Sequence, residues 1–194
     1  MSLAIVAVSA NSGTAFGSHA LSPERYAALD AAYTAMIPLD RDVVKKSALA
    51  TAQRACERLD TSDALLGPMR RQCLAVVTLV RRAERFARCR TRRGCRRATA
   101  GLRRAFTSYI SVTEPANRAI DASVADFSCR FALRTPAEHL RGAKRMRSAL
   151  RAVERAFRTG SGADLRRAER RLASIEDPSP SARQERTRFR SACG

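Results

Sequence analysis

The chain reads as an all-α protein, an antiparallel bundle of about six helices stapled by disulfides. Three observations carry that expectation. Aromatic residues make up 5% of the 194 residues and tryptophan is absent, while 45% are hydrophobic, so a core has to be assembled from Ala, Leu, Val and a few Phe. Those side chains suit close-packed helices better than sheets, which favour β-branched and aromatic residues. Apolar residues recur at three- and four-residue spacing along most of the chain, and no long alternating run competes with them. Proline, glycine and Ser/Thr/Asp punctuation falls where helices of ordinary length begin and end. The length suits one domain. Residues 21–177 read as the bundle, 1–20 as a leader or arm ahead of it, and 178–194 as a basic tail tethered through Cys193.

The run from Leu3 to Ala10 is apolar and is followed by small residues, the pattern at the end of a secretory signal peptide, although no positive charge precedes it. A disordered arm is the other reading of this segment. Ser22-Pro23-Glu24 then starts a helix, with a capping hydroxyl, a proline that gives up no needed N–H, and an acid facing the helix dipole. Tyr26, Leu29, Tyr33 and Met36 share one face, and Pro38 closes the element. Asp40 reads as the cap of a second helix carrying Val44, Leu49, Ala52, Cys56 and Leu59, which breaks at Asp60–Asp63. A third helix is expected from about Pro68, with Met69, Cys73, Val76, Val77, Val80, Ala83 and Ala87 as its apolar stripe.

The stretch Arg88-Cys89-Arg90-Thr91-Arg92-Arg93-Gly94-Cys95-Arg96-Arg97 reads as the turn of a helical hairpin. Ala98, Leu102, Ala105, Phe106, Tyr109 and Val112 continue the pattern on a fourth helix, which Pro115 is expected to kink or restart. Thr135-Pro136-Ala137-Glu138 has the form of a capping box before a fifth helix built on Leu140, Ala143, Met146, Leu150, Val153 and Phe157. Gly160-Ser161-Gly162 turns the chain into a last short helix around Leu165, Ala168, Leu172 and Ile175, stopped by Pro178 and Pro180. Beyond them the sequence is polar and basic, and would be a loose tail were it not for Cys193.

Six cysteines, an even number with no Cys-x-x-Cys and only two histidines, point to three disulfides in an oxidising compartment and away from a zinc site. Cys89 and Cys95 flank the hairpin turn symmetrically and are expected to pair. Cys73 lies 16 residues before Cys89, about 24 Å along a helix, and cannot reach it. The end of helix two and the region after helix four fall at one end of the bundle, which gives Cys56–Cys129 and leaves Cys73–Cys193.

Residues 1–40 carry a net −2 and the remainder +21, within a formal charge of +19; only Lys45, Lys46 and Lys144 are lysines. A field of that size attracts polyanions and weakens with salt, although arginine and alanine together are also what coding bias produces. Arg88, Arg90, Arg92, Arg93, Arg96 and Arg97 are the candidate contacts, since the guanidinium fork suits phosphate and carboxylate groups. No carboxylate pair, activated nucleophile, phosphate loop or metal cluster stands out. His139 sits in a first helical turn beside Glu138 and reads as an ordinary helix residue. The expectation is an exported, non-catalytic module without cofactor, meeting anionic surface polymers or lipid headgroups. The alternative is a cytoplasmic protein on the phosphate backbone of nucleic acid, with few aromatics near the turn to stack on bases.

Overall fold

The computed structural model describes residues 20–40, 43–175 and 181–194. They form an all-α bundle: α1 (Pro23–Met36), a 3-10 turn (Ile37–Asp40), α2 (Lys46–Glu57), α3 (Leu66–Ala87), α4 (Arg92–Ser123), α5 (Phe127–Leu133), α6 (Ala137–Thr159), α7 (Gly162–Ala173) and α8 (Ala182–Cys193). The leader reading of residues 1–19 and the proline stop at 178–180 lie outside the described residues. The longest element, α4, is packed between α3 on one side and α6 on the other, while α7 lies on α6 and α8 lies on α1 and α5.

Local chemistry explains most of the boundaries. Ser22 caps α1 by accepting from the Arg25 N–H, with Pro23 at the first position. Asp63 accepts from the N–H groups of both Leu65 and Leu66 at 2.8 Å and so starts α3. The adjoining bend is tight enough that a Cβ on Gly67 would stand 2.7 Å from the Thr61 carbonyl oxygen. Gly160 ends α6 in the left-handed region at φ 75°, where glycine carries no steric penalty.

Several expectations are corrected. Pro115 does not restart the helix, because α4 runs unbroken through it. Packing on both flanks holds the chain helical where proline alone would interrupt it. Asp40 caps a helix, but not the next one. Its carboxylate accepts from the N–H groups of Ala182 and Arg183 at the start of α8, and α2 begins after Lys45 without a side-chain cap. The Thr135–Glu138 capping box is not formed, since α6 is entered through Pro136. Thr135 is instead held by Asn117 of α4, which accepts from its N–H and donates to its carbonyl, both at 3.0 Å. Its hydroxyl also takes a 2.6 Å bond from Gln72, a buried polar residue of α3. Ala83 and Ala87, placed on the apolar stripe of α3, are exposed.

The largest correction concerns the C-terminus. Residues 182–193, expected as a tail held only through Cys193, are a helix, and the capping box belongs to Ser181 and Gln184. Phe189 is fully buried in a core with Leu29, Leu59, Leu65, Ile120 and Val124, and its ring lies 5.1 Å from Tyr26 and 5.2 Å from Tyr33. Arg186 and Arg190 both bond the Asp30 carboxylate on α1. A second core cluster joins Leu39, Val44, Leu49, Ala52, Cys56 and Val77.

Three disulfides form. Cys89–Cys95 is as expected, with Cα atoms 5.0 Å apart. The other two pairs are Cys56–Cys73 and Cys129–Cys193, at 5.6 and 4.6 Å, which overturns Cys56–Cys129 and Cys73–Cys193. The α2–α3 hairpin brings Cys56 level with the second turn of α3, and the folding of α8 onto α5 carries Cys193 to Cys129. No described helix is long and apolar enough to cross a membrane.

Candidate anion-binding face

The hairpin turn is shorter than the sequence indicates, because α4 already begins at Arg92 and only residues 88–91 connect it to α3. Thr91 caps α4 by accepting from the Gly94 N–H at 3.1 Å, and the Cys89–Cys95 bond pins the turn across that cap. Four of the six candidate arginines thus stand on a helix.

These six separate into three groups. Arg88 is engaged by Glu84, which also accepts from the Val44 N–H at 3.2 Å where the chain enters α2. Arg92 is structural. Its guanidinium donates to the carbonyls of Phe157 and Arg158 at 2.8 and 2.9 Å, satisfying carbonyls that the end of α6 leaves open and placing positive charge at the negative pole of that helix. Gly160 leaves room for it: a Cβ there would stand 2.6 Å from the guanidinium. Arg90, Arg93, Arg96 and Arg97 are exposed and have no carboxylate partner among the described residues.

A second gathering of arginines lies away from the hairpin turn. Arg96 and Arg103 of α4 face Arg151, Arg155 and Arg158 of α6 across one groove. Helical spacing makes this possible, since 96 and 103 are seven apart, and 151, 155 and 158 follow at four and three. The antiparallel register of α4 and α6 then brings the two stripes level. It is fixed at one end by Arg92 on the α6 carbonyls and at the other by Asn117 on Thr135. One carboxylate shares the groove. Glu154 accepts from Arg103 at 2.9 Å and neutralises that arginine, leaving four guanidinium groups without a carboxylate partner among the described residues. Of these five the sequence reading takes in Arg96 alone, and Arg103, Arg151, Arg155 and Arg158 lie outside its candidate set. Their spacing was the available signal, and the α4–α6 packing that joins them was not.

Shifted ionisation occurs elsewhere, around α8. Asp30 is held down at about 2, chiefly by the hydrogen bond from Arg190, with Arg186 adding to it against the opposing effect of burial. Glu185 is pushed up to about 7, mainly by burial, with Arg188 opposing and Asp40 reinforcing the rise. Burial also raises the Tyr33 hydroxyl. Glu185 and Tyr33 line a small cavity of about 120 Å³ together with Leu29, Met69, Gln72 and Arg134. Among the described residues no group of His, Cys, Asp and Glu is arranged to hold a metal ion. Comparison with known protein families, curated proteins and solved structures finds no match.

Proposed function

We propose that this protein is a non-catalytic binding module of an oxidising, extracytoplasmic setting, which holds an anionic surface polymer or lipid headgroups on the arginine-lined groove between α4 and α6. The supporting observation is the groove itself: five guanidinium groups from two helices, one carboxylate, and a register clamped at both ends. Arginines on two helices in fixed register can meet one anion together, and their fields add where single surface charges are screened. Three disulfides fit an oxidising compartment and weigh against the cytoplasmic nucleic-acid alternative. Among the described residues no aromatic ring lines the groove to stack on bases.

The test must separate a site from mere charge. Replacing Arg96, Arg151, Arg155 and Arg158 with Ser removes four charges from the groove. Replacing Arg166, Arg167, Arg170 and Arg171 removes the same four from exposed faces of α7. On immobilised heparin the groove variant is expected to elute at clearly lower salt than the α7 variant. Equal shifts would mean that net charge alone binds, and the assignment to the groove would fail. Arg92 is left intact because its loss would loosen α6.

A further inference from the structure

Among the described residues nearly all large apolar side chains are at least partly buried, with one concentrated exception. On α5, Phe127 is 74% exposed and Phe131 63%, and Val43 is the one other large hydrophobic so exposed among the described residues. The two phenylalanines are four apart on one face of the helix and stack on each other, with ring centroids 6.4 Å apart. The opposite face of α5 is buried through Cys129, Ala132 and Leu133, and the Cys129–Cys193 bond locks it to α8. The helix therefore cannot roll to hide its rings. Asp126 caps α5 at the Cys129 N–H, so the element is rigid as well as exposed.

The surroundings of the rings are basic. Arg188 lies over the Phe131 ring at 5.6 Å, Arg130 follows on α5 itself, and Arg134 ends the helix, where it is paired with Asp121. The rings are exposed, while Arg130 and Arg188 beside them are half-buried and each donates to a backbone carbonyl, that of Ala125 at 3.2 Å and that of Ala132 at 3.5 Å. Exposed rings flanked by arginine are the pattern of an interfacial membrane anchor. There the aromatic body sinks below the headgroups while arginine stays among the phosphates.

We propose that the Phe127–Phe131 face of α5 inserts into the interface of an anionic lipid bilayer. The proposal rests on the anion-binding reading above and selects the lipid surface among its partners. Two arguments favour this occupant over a protein. A second copy would bring +19 against +19. The two rings also expose only on the order of 300 Å², well under the ~800 Å² per partner that a stable protein complex buries. A bilayer needs no matching pocket, because its interface closes around each ring.

The absence of tryptophan makes the test direct. In full-length oxidised protein, Phe131→Trp places a single indole at the proposed depth. With phosphatidylcholine vesicles containing phosphatidylglycerol, its emission is expected to shift to the blue and to be quenched by brominated acyl chains. Pure phosphatidylcholine should leave it unchanged. Phe127→Ser with Phe131→Ser, both at exposed positions, should keep the circular dichroism and the heparin elution of the wild type while lowering partition into anionic vesicles by about tenfold or more. Indole emission unchanged while the protein sediments with vesicles would overturn insertion. So would equal partition of the double variant, or a dimer in solution that the double variant dissociates. Wild-type protein that binds heparin but ignores anionic vesicles would sink the bilayer assignment and leave the polymer reading standing. Protein that binds neither would remove both.

Discussion

Two carboxylates near α8 give the molecule opposite responses to pH. Asp30 titrates at about 2 in the folded chain, below its ordinary 3.8, because Arg190 and Arg186 bond its charged form. Its contribution is present above the unfolded value and is lost as pH falls through about 4 towards 2. Glu185 is displaced upward, from 4.5 to about 7, by burial. The folded state then binds the proton more tightly than the unfolded one, so stability declines as pH rises between those values. Denaturant midpoints of wild type and Glu185→Gln measured from pH 4.5 to 7 should diverge, the wild type losing stability relative to the variant as pH rises. Parallel curves would mean that Glu185 is not buried as described. Asp30→Asn should remove the corresponding acid-limb loss below pH 4.

At the scale of elements, α8 is the clearest case of structure that a linear reading undervalues. Its sequence is mostly charged, and one large apolar residue, Phe189, supplies its hold on the core. That residue is fully buried between Tyr26 and Tyr33, so Phe189→Ala is expected to cost about 3–5 kcal/mol, measured by urea unfolding. A loss under 1 kcal/mol would mean that α8 is not docked. The helix was missed because amphipathic periodicity needs several apolar positions to register, and here Phe189 and Cys193 carry it across a single turn. Its cap, Ser181 with Gln184 three residues on, has the local form of a capping box but lies in a segment whose composition reads as a basic tail. The same limit applies at Thr135. The local pattern for a capping box was complete, yet Asn117 and Gln72, 18 and 63 residues away, use Thr135 for a different purpose. At Pro115 the conflict ran the other way, with a breaker overridden by packing on both flanks.

For the whole molecule, the covalent frame and the charge are linked. Each disulfide ties a neighbouring pair of elements: α2 to α3, the two arms of the arginine hairpin, and α5 to α8. A chain with a formal +19 repels itself in the compact state, and the cross-links limit the unfolded ensemble it would otherwise relax into. Removing Cys129–Cys193 by paired serine substitution closes no loop of 64 residues and should lower stability by about 2–5 kcal/mol. That variant should also free α8. Protein recovered from its native host and alkylated without reduction should show no modified cysteine. Six modified cysteines would overturn the oxidising setting and return nucleic acid as the leading partner.

What the sequence by itself determined was helical class, the starts of α1, α3, α6 and α7, and the hairpin with its Cys89–Cys95 bond. These depend on residues within about two turns of one another, or on composition alone, and so are written locally. The remaining disulfide pairs, the docking of α8, and the groove that joins Arg96 and Arg103 to Arg151, Arg155 and Arg158 were decided by tertiary structure. Each depends on which helix face meets which across dozens of residues. In a chain so rich in alanine and arginine, many faces look alike until packing and the few long-range clamps choose among them.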